Sequence, residues 1–250
     1  MHKPIKAKKN LGQHFLIDLI IAEKITSLIN PKIQNILEVG PGTGVLTQFI
    51  IKKKAKIKLI EIDPDCVNIL KKKYRQNIIL DDFLILNINN VFDKPFTLIG
   101  NFPYNISSPI LSKIYENRDC IAEVIGMFQH EIAERVTCMQ GKKRGILSVL
   151  IQAFYHVEYC FKVTSENFSP PPKVESGVIK LVRNQRKKLE CNEDKFIKII
   201  KSGFNQKRKL LRNALKKFTF EDNGDTRHLL LKRAEQLSVE DFIKLTNYVR

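Results

Sequence analysis

The sequence predicts an α/β protein in which a parallel, doubly wound sheet is followed by a small all-helical domain at the C-terminus. Short apolar runs alternate with segments of helical periodicity through the first half of the 250-residue chain, which is typical of strands joined by crossover helices. The first of these runs enters a glycine-rich turn. After Arg183 the strand signals stop and only helical patterns follow. We therefore expect one domain over residues 1–185 and a second over 186–250.

The first half of the chain contains five predicted strands. Apolar spacing at 15–29 predicts a helix that Asn30-Pro31 ends. The predicted strands, in order, are 35–39, 56–62, 77–80, 96–100 and 123–128. Helices are predicted at 45–54 and 64–74, the second with Pro64 in its first turn. Because the strands alternate with helices, the sheet is predicted to be parallel.

The second half of the chain has a different pattern. A helix is predicted at 145–155, and strands at 157–163 and 174–182 suggest an antiparallel edge to the sheet. The remaining predicted helices are 193–204, 206–218, 227–236 and 239–249. Ser238 with Asp241 three residues later is close to a capping box for the last of them. These four helices form the predicted C-terminal domain.

The chain is strongly basic, with a formal net charge of +17 and a pI near 9.7. Thirteen basic and three acidic residues lie within 183–217, so much of the excess is concentrated where the helical domain begins. A positive surplus of this size indicates a polyanionic partner, either nucleic acid or an anionic membrane surface.

Membrane-spanning, secreted and zinc-binding classes are disfavoured. No stretch approaches about 18 uninterrupted apolar residues. The five cysteines are odd in number and form no C-x-x-C pair, which argues against a disulfide scaffold and a structural zinc site. The lysine-rich N-terminal arm is followed by a segment too polar for a signal peptide. We expect a cytoplasmic protein that binds no metal.

Polar and glycine residues follow the first three predicted strands. Gly40, Gly42 and Gly44 form a turn after the first strand, Glu61 ends the second, and Asp82 follows the third. Carboxyl ends of parallel strands are where such sheets bind ligands, and acids at these positions suit the ribose and adenine of a nucleoside. Val45 stands where the dinucleotide fingerprint has its third glycine. This spacing favours S-adenosylmethionine over a pyrophosphate-linked dinucleotide.

The fourth predicted strand ends in Asn101-Phe102-Pro103-Tyr104. This string resembles the [Asn/Asp]-Pro-Pro-Tyr motif of methyltransferases that act on exocyclic amines, with Phe102 in the first proline position. An adenine amine is a poor nucleophile because its lone pair is delocalised into the ring. The side-chain oxygen of Asn101 and the main-chain carbonyl of Phe102 would accept its two hydrogens. Tyr104 would stack on the base once it is unstacked from its neighbours.

Over residues 5–250 the chain resembles the ribosomal RNA adenine dimethyltransferases, a Rossmann-like family of S-adenosylmethionine-dependent methyltransferases with a small helical domain. Four segments carry the resemblance: 9–16, 101–109, 168–176 and 204–213. The resemblance implies dimethylation of the N6 amines of two adjacent adenosines. These lie in a hairpin loop near the 3′ end of small-subunit rRNA, and a role in small-subunit biogenesis follows. The partner would be the 30S particle or its precursor, bound by a monomer.

Functional residues are expected in three groups. The catalytic group is Asn101, Phe102, Pro103, Tyr104 and Phe168. The cofactor-binding group is His14, Leu16, Gly40, Gly42, Glu61, Ile62, Asp82, Phe83 and Asn101, with His14, which replaces the Asn of some members, acting through main-chain atoms. The RNA-binding group is Lys8, Lys9, Lys207, Arg208 and Arg212. In the predicted 206–218 helix, Arg208, Arg212 and Lys216 recur every four residues, and such a basic face would hold RNA through its phosphates.

Three other functions compete with this interpretation. One is a large-subunit rRNA adenine methyltransferase of the macrolide-resistance type, which shares the Asn-x-Pro-Tyr motif but fits the segments at 107–109 and 204–213 poorly. Another is a non-catalytic RNA-binding assembly factor, against which the intact Glu61, Asp82, Asn101 and Tyr104 count. A nicotinamide-dependent dehydrogenase is the third.

Overall fold

The computed structural model describes residues 6–74 and 77–250, so the first five residues of the basic N-terminal arm lie outside the described part. The chain separates into two compact units. The first contains the described residues up to 133 together with 156–183, and the second contains 134–155 together with 184–250. The division expected from the sequence, 1–185 and 186–250, put residues 134–155 with the sheet, whereas the structure groups them with the C-terminal helices.

The first unit is built on a seven-stranded sheet. Its strands and those of a separate two-stranded pair are β1 Phe15–Leu16, β2 Asn35–Val39, β3 Lys56–Glu61, β4 Asn77–Leu80, β5 Phe96–Asn101, β6 Ile121–Gln129, β7 Tyr155–Val163, β8 Phe168–Ser169 and β9 Ser176–Arg183. The order is β4-β3-β2-β5-β6-β9-β7. The first five strands in this order, β4, β3, β2, β5 and β6, are parallel, and β9 pairs antiparallel with β6. The predicted parallel sheet with an antiparallel edge is confirmed.

This strand order reverses direction between β2 and β5. Chain connections leave β2 toward β3 on one side, and the chain later returns to place β5 on the other side. Loops at the carboxyl ends of β2 and β5 therefore diverge and leave a crevice, which is where open α/β sheets bind ligands.

The helices that accompany the sheet are α1 Leu19–Ser27, α2 Thr47–Ile50, α3 Pro64–Lys73, α4 Ser107–Glu116 and α5 His130–Thr137. The predicted helix at 15–29 is wrong at its start, because Phe15–Leu16 pairs with Phe168–Ser169 as a strand. Helix α1 begins only after Asp18, whose carboxylate accepts hydrogen bonds from the amides of Ile20 and Ile21. The predicted helix at 45–54 shrinks to the single turn of α2, and the sequence reasoning did not identify α4 or α5.

One face of the sheet packs against α1. Fully buried residues from three strands meet there, namely Ile36 of β2, Ile99 of β5 and Ile125 of β6, and Ile25 of α1 packs against them. The two-stranded β1–β8 pair contributes Leu16 and Phe168 to the same cluster.

The second unit contains α6 Ile146–Phe154, α7 Glu193–Asn205, α8 Leu211–Ala214, α9 Gly224–Leu230 and α10 Val239–Asn247. Helix α7 packs against α6 and α10, with the Phe204 and Phe242 rings 6.1 Å apart. The capping box of α10 is confirmed. The Asp241 amide donates to Ser238 Oγ and the Ser238 amide donates to the Asp241 carboxylate, both at 3.0 Å.

The predicted continuous helix at 206–218 is wrong. Residues 206–209 form a turn, and the helix covers only Leu211–Ala214. The Leu211 amide donates to the carbonyl of Lys232 at 2.8 Å, so a helical hydrogen bond is replaced by a tertiary one at this point. The predicted helix at 227–236 likewise divides into α9 and a short 3₁₀ turn, Ala234–Gln236.

Two kinds of feature are absent from the described residues. No helix in this part of the chain is long and apolar enough to cross a membrane. No group of three or more His, Cys, Asp or Glu side chains in the same residues is arranged to hold a metal ion.

Candidate active site

A cavity opens at the carboxyl ends of β2, β3, β4 and β5, on the crevice created by the strand order. The lining consists of residues 10–15, Val39, Gly40, Gly42, 60–62, 81–84 and 101–106. Except for Gly44, the strand-end positions predicted from the sequence therefore meet in a single cavity. Residues 10–15, part of the N-terminal motif, line it as well.

The glycine-rich turn forms the floor of this cavity and requires glycine. Gly40 has φ +65°, and a Cβ at this position would meet no atom within 4 Å, so open space lies directly above its backbone. Gly42 has φ +56°, and a Cβ there would lie 3.0 Å from the Phe15 ring. A side chain at either position would be strained, and at Gly40 it would project into open space that the bare backbone leaves for a ligand.

Glu61 is fixed at the end of β3 with part of its hydrogen-bonding capacity unused. The Gly42 amide donates to Oε2 and the Asp63 amide donates to Oε1, each at 2.9 Å. Burial raises the pKa of Glu61, and these two amide donors oppose the rise. A carboxylate has about four acceptor sites, so the side chain is held in place and still able to accept a hydroxyl donor from a ribose.

The end of β4 supplies a second acceptor and an apolar wall. Asp82 uses Oδ1 to accept the Leu84 amide at 2.8 Å, which leaves its other oxygen for a ligand amine. Phe83 is buried beside it, whereas Ile62 from the end of β3 is 46% exposed at the cavity edge. A carboxylate between two apolar side chains suits a planar base with an amino group.

A buried carboxylate holds the N-terminal segment whose residues 10–15 line the cavity. Asp63, which caps α3, accepts Lys8 Nζ at 2.6 Å and Gln13 Nε2 at 2.8 Å. Lys8 also pairs with Asp65 at 2.6 Å. Burial alone would raise the pKa of Asp63, but the hydrogen bonds from Lys8 and Gln13 hold it below its ordinary value. Lys8, expected to contact RNA, is therefore engaged in holding this segment.

Asn101 has one side-chain group committed and one available. Its Nδ2 donates to the main-chain carbonyl of His14 at 2.8 Å. Because only the amide nitrogen can donate to a carbonyl, this hydrogen bond determines the orientation of the amide and leaves Oδ1 as the free acceptor. The His14 imidazole bonds the Pro170 carbonyl at 2.8 Å, and the main-chain contact expected between His14 and the cofactor stays a prediction.

The Phe102 ring lies beneath the motif in a space made by two glycines. Phe102 is 1% exposed, and its ring centroid lies 4.9 Å from that of Phe128. A Cβ at Gly126 would come within 2.8 Å of the Phe102 ring, and one at Gly100 within 3.0 Å. The ring that replaces the motif's first proline therefore packs on the sheet, and its main chain stays at the cavity.

Two of the expected catalytic and cofactor-binding residues do not line the cavity. Leu16 and Phe168 are opposite one another in the β1–β8 pair, and both side chains are buried in the core cluster beside α1, at 3% and 2% exposure. The antiparallel pairing directs them inward together. The described structure therefore does not bring Phe168 to the catalytic position expected for it, and Leu16 contributes to the core.

A buried carboxyl lies behind the glycine-rich turn. Glu38 on β2 accepts a hydrogen bond from Thr47 Oγ1 at 2.7 Å, and burial raises its pKa to about 8. Burial therefore favours the protonated form of this carboxyl near neutral pH. Alternation along the strand gave no signal for this acid, because β2 is buried throughout.

The expected RNA-binding residues of the second unit fall into two groups. Arg208 and Arg212 are exposed. Lys207 instead donates to the main-chain carbonyls of Lys142 and Arg144, and it lies 3.7 Å from Glu235. Its ammonium is thus used inside the unit.

Sequence reasoning missed Gln13 and Asn105 among the cavity residues. Gln13 binds Asp63, and the Asn105 side chain approaches so closely that a Cβ on Gly12 would meet it at 2.5 Å. Both lie inside segments that carry the family resemblance, 9–16 and 101–109. The motifs therefore contained these two residues, although neither was predicted as a site residue.

Comparison with known proteins agrees with this geometry. The family model described as ribosomal RNA adenine dimethylase matches residues 5–250. The Ribosomal RNA small subunit methyltransferase A of Bacteroides thetaiotaomicron is 51% identical, over 99% of this chain and 95% of that protein. The protein of the same name from Cytophaga hutchinsonii is 48% identical, over 97% of each chain.

Two solved structures share the fold along almost the whole chain. A dimethyladenosine transferase from Plasmodium falciparum has a TM-score of 0.78 and 27% identity, covering 93% of this chain and 96% of that one. The 23S rRNA methyltransferase ErmE has a TM-score of 0.74 but 22% identity, covering 94% and 99%. The full-length match, the identity of about half to small-subunit enzymes and the cavity geometry lead to one conclusion: this chain belongs to the ribosomal RNA adenine dimethylase family.

Proposed function

We propose that this protein transfers methyl groups from S-adenosylmethionine to the N6 amines of two adjacent adenosines in a hairpin loop near the 3′ end of small-subunit rRNA, dimethylating each. As a member of its family it is an rRNA adenine dimethyltransferase and uses S-adenosylmethionine. The identity of about 50% to enzymes named for the small subunit supports this target over large-subunit rRNA. The observation that carries the chemistry is the orientation of Asn101, whose Oδ1 is left free at the cavity.

The cavity suits the cofactor in its donors and acceptors. Glu61 would accept the ribose hydroxyls, Asp82 the adenine amine, and the open backbone at Gly40 would allow close approach. When bound, S-adenosylmethionine supplies a methyl group already activated by its sulfonium. Ile62 and Phe83 would flank the adenine.

The residues of the motif place the target amine. Asn101 Oδ1 and the Phe102 carbonyl would accept its two N–H groups, which draws the nitrogen toward tetrahedral geometry and frees its lone pair for an in-line attack. Tyr104 would stack on the unstacked adenine. No strongly basic side chain is required, because the methyl donor is activated and the protein contributes placement and hydrogen-bond acceptors.

Target RNA would be held through its phosphates by exposed basic residues. Arg208 and Arg212 on the helical unit and Lys9 on the N-terminal arm support this role by their exposure. Lys8 and Lys207 have ammonium groups that are bonded within the protein, so the proposed contact is based on the other three residues. We place the enzyme in the cytoplasm as a monomer acting on the 30S particle or its precursor, with no metal required.

The direct test is to incubate the purified protein with isotopically labelled S-adenosylmethionine and small subunits that lack these methyl groups, and then to map the modified bases. We expect label on two adjacent adenosines near the 3′ end of the rRNA, two methyl groups on each. Large subunits and fully methylated small subunits are the controls. Label on large-subunit rRNA, or binding without transfer, would overturn the proposal.

A further inference from the structure

The Tyr104 hydroxyl has a buried partner that belongs to a different part of the chain. Tyr104 Oη and Ser176 Oγ are 2.5 Å apart. Ser176 is fully buried at the first position of β9, where it pairs with Gln129 of β6. The next residue, Gly177, has no room for a side chain, because a Cβ there would lie 2.7 Å from Ala133 and 2.9 Å from the Tyr159 ring. The sheet therefore fixes the backbone that carries the serine hydroxyl.

The Tyr104 ring is also constrained at its face and at its base. The His14 imidazole stacks on it, with ring centroids 5.6 Å apart and planes 24° from parallel. Its backbone opens the 3₁₀ turn Tyr104–Ile106 directly before α4. A tyrosine side chain turns about two bonds, so contact at the face leaves the ring free to slide and rotate unless its far end is held. The hydrogen bond between the Tyr104 and Ser176 hydroxyls removes that freedom.

We propose that Ser176 is a positioning residue for methyl transfer, which holds the Tyr104 ring at the angle on which the target adenine stacks. The inference rests on the proposed function, in which Tyr104 forms the stacking platform. Ser176 has no contact with the reacting atoms in this scheme and acts only through the tyrosine. Binding of the particle to the basic surface precedes entry of the base into the cavity, so the residue affects the transfer step and leaves RNA binding unchanged.

The first experiment measures kcat and KM for small subunits, together with cofactor affinity, in Ser176→Ala. Losing one hydrogen bond of this kind changes an equilibrium by about tenfold, so we expect kcat about tenfold lower, with KM and the cofactor Kd within twofold of wild type. A merely structural role would lower the amount of folded enzyme and leave kcat per folded molecule unchanged. Wild-type kcat in the variant would overturn the inference.

Tyr104→Phe removes the same hydrogen bond from its cavity end and leaves the sheet untouched. We expect it to lower kcat by a similar factor, and we expect Ser176→Ala to add less than twofold in the Tyr104→Phe background. This second variant keeps the inference testable if Ser176→Ala fails to fold. Additive losses in the double variant, or full activity in Tyr104→Phe, would show that the serine does not act through the tyrosine hydroxyl.

The wild-type enzyme separates the two possible failures. If it transfers no methyl group to unmethylated small subunits, the proposed function is wrong. If it dimethylates the two adenosines and the Ser176 and Tyr104 variants do so equally well, the proposed function stands and the positioning role is overturned.

Discussion

The cavity of the sheet unit and the basic surface of the helical unit are built in opposite ways. At the cavity, Glu61, Asn101 and Tyr104 each have a hydrogen-bond partner that fixes the side chain and leaves part of it for a ligand. On the helical unit, Arg208 and Arg212 have no ion pair or hydrogen bond with any described residue through their side chains. Methyl transfer requires reacting atoms placed within a fraction of an ångström, whereas attraction to phosphates is long-range and tolerates mobile side chains.

The lysines show that charge in the sequence does not determine whether a side chain is bonded within the protein or left exposed for RNA. Lys8 and Lys9 are neighbours, yet Lys8 pairs with Asp63 and Asp65 while Lys9 is exposed. Lys207 and Arg208 differ in the same way. The comparison therefore predicts that variants of the fixed residues change cofactor binding or turnover, and that variants of the free residues change only the salt-dependent affinity for RNA.

The largest effect is expected from Asn101→Ala. Loss of a placed hydrogen-bonding group at a reacting centre lowers kcat by about 100-fold or more, and here the substitution removes the free Oδ1 acceptor. The chain should remain folded and bind small subunits as tightly as wild type. Single-turnover transfer to unmethylated small subunits measures this, with filter binding of the particle as the control. Turnover within threefold of wild type would contradict the role given to the asparagine.

Glu61→Ala should have the next largest effect. Loss of a charge-assisted pair with a ribose costs about 1.5–3 kcal/mol, which corresponds to roughly a ten- to hundredfold weaker Kd for S-adenosylmethionine. Glu61→Gln is the matched variant. We expect its Kd for S-adenosylmethionine to lie between those of wild type and Glu61→Ala, because an amide nitrogen cannot accept a hydrogen bond from the Gly42 or Asp63 amide. Calorimetry with the cofactor decides, and an unchanged Kd in the alanine variant would be incompatible with this site.

The basic surface is tested by replacing Arg208 and Arg212 together with alanine. Two lost phosphate contacts should weaken binding to small subunits and reduce the slope of log affinity against log salt by up to about two. The cofactor Kd should not change. Arg227→Ala is the matched control, since this arginine is 70% exposed in its side chain but bonded to both oxygens of Asp222. An unchanged slope in the double variant would mean that the two arginines form a merely solvated face.

Lys8→Ala should produce the smallest effect and the sharpest contrast with its neighbour. Gln13 and the Asp65 amide still donate to the buried Asp63 when Lys8 is lost, so we expect the cofactor Kd to weaken by only a few-fold as the N-terminal segment loosens, with no change in the salt slope of RNA binding. Lys9→Ala should do the reverse, lowering affinity for small subunits and leaving the cofactor Kd unchanged. If both variants behave alike, the distinction between fixed and free lysines fails for this segment.

The arrangement of the sheet was predictable because its signals are local and repeated. Apolar runs identified β2 to β5 nearly at their observed bounds, and glycine and acidic residues at their ends marked the cavity. Continuity of helices was less predictable. The pattern at 206–218 has helical spacing, but a hydrogen bond between Leu211 and the distant Lys232 breaks the helix, and periodicity contains no information about such a partner.

The sequence by itself determined the order of elements, the charge of the helical region and the residue types at the ends of β2 to β5, because these depend on spacing and composition. Only the tertiary structure decided which candidate side chains reach the cavity or remain free for a ligand. It buried Phe168 through its pairing opposite Leu16, bound Lys8 to Asp63, and brought Ser176 to Tyr104 across 72 positions of the chain. Each of these outcomes depends on contacts between segments far apart in sequence, which no local pattern specifies.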